Sequence, residues 1–223
     1  MHTQKQRVRM TIQIRAFLVP ALVWAPLTLA QETPTFPDTC RCEHCHGEYR
    51  WQDKTVKTEP PPSIPDHLKP SEVGAWTGPG GTFHKDTPRV AEELRWYQVT
   101  GRVTLVKIEP DGDLHIQLVD EGATDDSVNL VVEVPAGEPW CNIRETVFGW
   151  MTSKPPFSTN GRKFHITANP VVTVTGMAFY DATHGQGDSN ANRRHVPANA
   201  TPVTQHVAIW EIHPVMRLTV DSQ

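Results

Sequence analysis

The densest chemistry in this chain lies in eight residues, Cys40-Arg-Cys42-Glu-His44-Cys45-His46-Gly47. Three of the chain's four cysteines fall here, with two histidines. Thiolate and imidazole are donors suited to Zn²⁺ or Cu⁺, so Cys40, Cys42 and Cys45 with His44 or His46 form one candidate ligand set. Cys42-x-x-Cys45-His46 also has the spacing for covalent haem attachment: two thiols add to the haem vinyls and the adjacent His ligates iron. In that reading Cys42, Cys45 and His46 bind the cofactor, and Met151, Met177 or a distant His completes the iron's coordination. A third reading is oxidative pairing, because cysteines in an oxidising compartment tend to form disulfides. The fourth cysteine, Cys141, is far away in sequence. A bond from Cys40 or Cys42 to Cys141 would close a loop of about 100 residues, worth several kcal/mol in principle. All three readings stand at this level.

A second constellation lies near the C-terminus. Asp181 and His184 follow one predicted strand, and Glu211 and His213 sit on the next. Strand alternation puts Glu211 and His213 on one face, with Trp210 and Ile212 on the other. Two His and two carboxylates suit a divalent metal or an acid–base pair. The plainer use of such residues is to cap and hydrogen-bond loop ends. Asp113 and His115 lie on the second predicted strand.

These side chains need a scaffold. Residues 96–109 alternate apolar and polar with β-branched enrichment and read as a long first strand. Gly101 within it signals a bulge or bend. Pro110-Asp-Gly112 makes a hairpin turn, and strands follow at 113–120, 127–134, 171–180 and 206–212. The last continues to Val220 past a break at Pro214. A short helix is expected over 142–151, and another over 87–93 with Thr87 as N-cap and Pro88 at N1. Three strands, a helix and two strands is the order of an OB-type barrel. The expected fold is therefore all-β with one short helix: an OB-like five-stranded barrel over residues 95–223. The long polar loop from Asp181 to about Gln205 would border its binding face. Residues 31–94 form an irregular, Pro-rich, Cys-bearing arm ahead of it.

The first thirty residues carry Lys5, Arg7, Arg9 and Arg15, no acid, and then an apolar run ending at Ala30. Those are the parts of a cleavable secretory signal. The run is too short, and too broken by Pro20 and Pro26, for a stable membrane span. The expected location is thus secreted or periplasmic. Removing the signal takes the formal charge from −4 to −8. That argues against nucleic acid or an anionic membrane as partner, since both demand a basic face.

Parts of the chain resemble known families. Val174-Thr-Gly-Met-Ala-Phe-Tyr-Asp-Ala-Thr-His-Gly-Gln186 and Trp210-Glu-Ile-His-Pro-Val215 look like a closing signature of uncharacterised secreted bacterial proteins. Residues 111–120 and Glu133-Val-Pro135 carry the same resemblance. It implies a shared small barrel and no particular activity. The Asp111-Gly-Asp113 turn is similar to that of staphylococcal-type nucleases, whose second Asp binds calcium; Asp113 would hold that place and Glu133 could stand for a second carboxylate. Catalytic Glu and phosphate-gripping Arg partners do not follow at matching places. Cys42–Gly47 resembles cytochromes c over that short stretch alone.

The sequence carries no Gly-x-Ser-x-Gly elbow and no Walker loop. The reading it favours is a secreted barrel that binds a small ligand or another protein without catalysis. A haem-c redox protein and a metal-dependent hydrolase are the alternatives.

Overall fold

The alternation that predicts strands also decides how they close. The computed structural model describes residues 47, 49–64, 66–123, 128–150, 163, 164, 166, 169–183 and 206–222, all within the unit Phe36–Gln223. The strands are β1 (His67–Leu68), β2 (Trp96–Ile108), β3 (Leu114–Val119), β4 (Val128–Val134), β5 (Lys163–Phe164), β6 (Val171–Tyr180) and β7 (His206–Ser222). The helices are α1 (Trp51–Lys54), α2 (Pro70–Gly74) and α3 (Cys141–Phe148), with 3₁₀ turns at Ala91–Leu94 and Glu138–Trp140. The signal segment 1–30, the cluster from Cys40 to His46, and His184 with the loop after it lie outside the described residues.

Five strands close on themselves in the order β2-β3-β4-β7-β6 and back to β2. Every pairing is antiparallel except β4 with β7. With α3 between the third and fourth barrel strands, this is the expected OB-like barrel, and closure leaves it no open sheet edge. β1 and β5 are short additions, both on β2.

β2 serves both halves of the barrel: Trp96–Arg102 pair with β6 and Arg102–Ile108 pair with β3. Gly101 lies at that switch. A Cβ there would meet the Val119 carbonyl at 2.8 Å and Pro70 at 2.8 Å, so only glycine permits the crossing. The inward residues Val99, Val103, Leu114, Ile116, Leu130, Val132, Val174 and Ile212 are fully buried. At ~1.5–3 kcal/mol for each such side chain, they are the main driving force for closure. α2 adds Val73 and α3 adds Val147 and Phe148 to the same core.

Three elements depart from the sequence expectation. The helix expected from Thr87 is a single 3₁₀ turn beginning at Ala91. The Thr87 carbonyl is taken by Arg50 Nε, and the Glu93 carboxylate caps Val90 N–H, which starts the turn three residues later. α3 ends at Phe148, before Gly149. β7 does not break at Pro214. Gly176 pairs with Val215 and Ala178 with Ile212, so His213 and Pro214 stand together opposite Met177. Proline is tolerated in such a bulge because the ladder needs no N–H there. Gly176 makes room for it: an added Cβ would meet the Pro214 carbonyl at 2.4 Å.

The Pro-rich segment before β2 is held to the sheet by two arginines. Arg50 reaches Glu93, and Arg89 donates to the carbonyls of Asp53, Glu93, Ala178 and His213. Among the described residues no helix is long and apolar enough to cross a membrane.

Candidate metal centre

β3 is buried on both faces. Leu114, Ile116 and Leu118 fill the barrel, while His115 and Gln117 face outward and are still only 7 % exposed. Register explains what they meet. His115 stands opposite Glu133 on β4, and β4 runs beside β7 with Val131 opposite Glu211. Glu133, Glu211 and His213 therefore share the outward polar face with His115. The bulge at His213–Pro214 re-aims the imidazole, a common role of bulges beside functional sites. Asp113 comes from the β2–β3 hairpin, where Glu109 N donates to the Asp113 carbonyl and Gly112 adopts φ 92°. Arg144 on α3 donates to the carbonyls of Gly112 and Val134, both at 3.0 Å, and so fixes the hairpin against the end of β4.

His213 is the centre of the arrangement. Its Nε2 is 3.2 Å from Asp113 Oδ2, and its Nδ1 is 3.1 Å from Glu133 Oε2 and 3.7 Å from Glu211 Oε2. The side chains of His213 and Asp113 have no exposed surface. Yet neither ring nitrogen is in hydrogen-bonding alignment with a carboxylate. Both Asp113 oxygens and Glu211 Oε2 likewise lack a hydrogen bond. Burying such groups without partners is costly. Donors bound at about 2.1 Å to one ion, at tetrahedral or octahedral angles, lie about 3.0–3.4 Å apart. Asp113 faces Nε2 while Glu133 and Glu211 face Nδ1, so one ion can use only one of the two nitrogens; Asp113, Glu133 and His213 each offer a donor atom within 4.8 Å of the others.

Burial and neighbouring charge set how the cluster titrates without an ion. Burial pushes Glu211 up to about 7, and the Glu133 and Asp181 charges push the same way. Burial alone would raise Glu133 too, but the His115 and His213 imidazoles hold it well below the usual carboxylate range. Burial would lower His213, and its three carboxylate neighbours outweigh this and raise it well above an ordinary histidine. Asp111 rises to about 6 through burial and the Asp113 charge. Lys54 lies beside this acidity. Burial would lower it, but Glu133, Glu211, Asp181 and Asp111 raise it, and its Nζ is 4.0 Å from Asp111 Oδ2. Five carboxylates, Asp111, Asp113, Glu133, Asp181 and Glu211, thus gather around Lys54 and the His115 and His213 imidazoles.

A second donor group adjoins the first. His115 Nδ1 is 3.2 Å from Glu109 Oε1 and 3.1 Å from Glu133 Oε1. Two sets, Glu109–His115–Glu133 and Asp113–Glu133–His213, each hold their donor atoms within 4.8 Å of one another.

The residues singled out in the sequence are thus distributed unevenly. Glu211 and His213 come together, joined by Asp113 and Glu133. Asp181 lies at the edge of the cluster, 4 % exposed, and its Oδ1 accepts from Thr183 N and Oγ1. His184, Cys40, Cys42, His44, Cys45 and His46 fall outside the described residues. Gly47, directly after the cysteine cluster, lies against Asp111: a Cβ there would be 3.3 Å from Asp111 Oδ2. Cys141 opens α3 and is not a free thiol. Glu109, Gln117 and Lys54 carried no motif in the sequence; only the β2–β3 register and the packing of α1 reveal them. A separate cavity of about 650 Å³, walled by Trp76, Tyr97 and Trp210, includes none of these residues.

No protein-family model, no curated protein and no solved structure matches this chain, so the site is read from its own geometry.

Proposed function

We propose that this chain is an exported β-barrel protein that binds a divalent transition-metal ion through Asp113, Glu133, Glu211 and His213. The observation that carries this reading is the set of fully buried, close-packed and unpaired donor atoms around His213. One imidazole with three carboxylates suits Mn²⁺, Fe²⁺ or Zn²⁺; Ca²⁺ and Mg²⁺ prefer oxygen alone. An ion reaches donors that have no exposed surface, whereas a substrate molecule does not. Binding is therefore favoured over hydrolysis.

The export reading gives the cysteines a matching role. Cys141 is not a free thiol, and the chain's other cysteines are Cys40, Cys42 and Cys45. A disulfide to one of them ties the segment before Gly47 to α3, the helix whose Arg144 fixes the Gly112 carbonyl.

Elemental analysis and absorbance of the chain purified from its native compartment test the proposal together. The expected result is at least one equivalent of Mn, Fe or Zn, lost in His213→Ala, with no haem Soret band. Metal-free protein that takes up none of these ions on titration would refute it. Peptide mapping without reduction tests the disulfide, with Cys141 joined to the 40–45 peptide as the expected result.

A further inference from the structure

We infer that the site is a two-ion centre in which the Glu133 carboxylate bridges an inner ion held with Asp113, Glu211 and His213 and an outer ion held with Glu109 and His115. The inference rests on the metal-binding reading above and adds a second site to it. Its basis is how Glu133 is shared. Oε1 faces His115 at 3.1 Å, and Oε2 faces His213 at 3.1 Å. One carboxylate thus turns a different oxygen to each of two imidazoles. Each side then completes itself with a further carboxylate: Glu109 for His115, Asp113 for His213. Paired divalent sites are commonly built so, with ions about 3.5–4 Å apart.

The outer half is crowded: His115 Nδ1 is hydrogen-bonded to Glu133 Oε1, and Glu109 Oε1 also pairs with Lys107. His115 Nδ1 lies within 3.2 Å of two carboxylate oxygens from different residues. A single N–H points well at only one of them, whereas an ion between the three donors meets all of them. Gln117 supplies an independent sign. Its Oε1 is buried without a partner, while its Nε2 is 3.3 Å from His115 Nε2. Turning the Gln117 amide by half a turn lets Oε1 accept from His115 Nε2–H. That gives Oε1 a donor and fixes the tautomer in which Nδ1 carries a lone pair toward Glu109 and Glu133. A metal-binding histidine needs that kind of support from its second nitrogen.

The two halves differ in access. The inner donors Asp113 and His213 are fully buried, while the Glu109 side chain is 23 % exposed and pairs with Lys107. The outer ion therefore exchanges first and the inner ion is retained.

The test uses the full chain, stripped and then loaded with Mn²⁺. Bound metal per chain and the Mn²⁺ electron paramagnetic resonance spectrum are both recorded. The expected result is two ions and a spin-coupled spectrum. Glu109→Gln and His115→Ala should each reduce this to one ion with the six-line spectrum of an isolated centre. Limited chelation of the wild type should give the same one-ion state first. Glu109 is partly exposed, so its variant tests the idea even if His115→Ala folds poorly. One ion in the wild type would overturn the two-ion centre and leave the single-ion reading standing. None would overturn both. Two ions with uncoupled spectra, or two retained in Glu109→Gln, would overturn the bridge.

Discussion

Arg50 with Glu93 and His213 with Asp113 are both ion pairs without solvent exposure, and the Phe179 ring lies between them, 4.7 Å from the Arg50 guanidinium and 5.5 Å from the His213 ring. The first pair is complete. Arg50 Nη1 and Nη2 meet Glu93 Oε1 and Oε2 at 2.7 Å each, and Glu93 also accepts from Tyr180 N and Val90 N. Arg50 Nε donates to the Thr87 carbonyl. Each lone pair in use has a donor supplied by the protein. The second pair is longer, at 3.2 Å, and has no aligned hydrogen bond. The contrast separates two uses of buried charge. Where the chain satisfies the charge itself, the pair holds the N-terminal segment to β6. Where it leaves donors facing one another, the proposed ion would be the missing partner.

The largest effect should come from breaking the complete pair. Glu93→Ala strands a buried guanidinium, and the expected loss is ~3–5 kcal/mol in urea denaturation. Added Mn²⁺ should not relieve it. A loss under ~1 kcal/mol would erase the contrast, because the complete pair would then be no more structural than the other.

Next in size is the response of the incomplete cluster to its ion. Mn²⁺ at 100 times its dissociation constant should stabilise the chain by ~2.7 kcal/mol, read as a shift in thermal midpoint. Chelator should reverse the shift, and His213→Ala should abolish it.

A smaller effect sharpens the comparison from the opposite side. Glu211 has a folded pKa of about 7 against the ordinary 4.5. Because the folded value is the higher one, the unfolded chain ionises first. The stability of the cation-free protein is fully present below pH 4.5 and falls as pH rises through 7. Glu211→Gln removes that loss, and should stabilise cation-free protein at pH 8 by on the order of 1 kcal/mol while weakening metal binding, the usual exchange of function for stability. Destabilisation at pH 8 would show that Glu211 is already well paired.

The smallest concerns Tyr49, whose hydroxyl is buried without a partner and whose pKa is pushed up to about 12 by burial. Stability should fall as pH rises from 10 through 12, and Tyr49→Phe should flatten that fall. At pH 8 the variant should match the wild type within ~0.5 kcal/mol.

The barrel was legible because period-2 patterning and turn residues are local signals. The 96–108, 114–119, 128–134 and 171–180 strands could be read almost residue by residue, and Gly101 marked the bend. Pro214 misled, since a proline reads as a stop unless the bulge opposite Met177 and the space left by Gly176 are known. Glu211 and His213 stood out as a His–carboxylate pair on one strand face. Their partnership with Glu133 depends on the parallel β4–β7 pairing, which joins strands over 70 residues apart. Arg50 and Glu93, 43 residues apart, had no signal at all, because a charge in a polar segment reads as solvated until packing buries it.

The central claim is that the unpaired donors around His213 hold an ion. Anomalous diffraction at the manganese edge, on crystals of the full chain equilibrated with Mn²⁺, tests it most directly. The expected result is a peak bounded by Asp113, Glu133, Glu211 and one His213 nitrogen. A map with no peak there, and His213 instead donating aligned hydrogen bonds to Asp113 and Glu133, would contradict it.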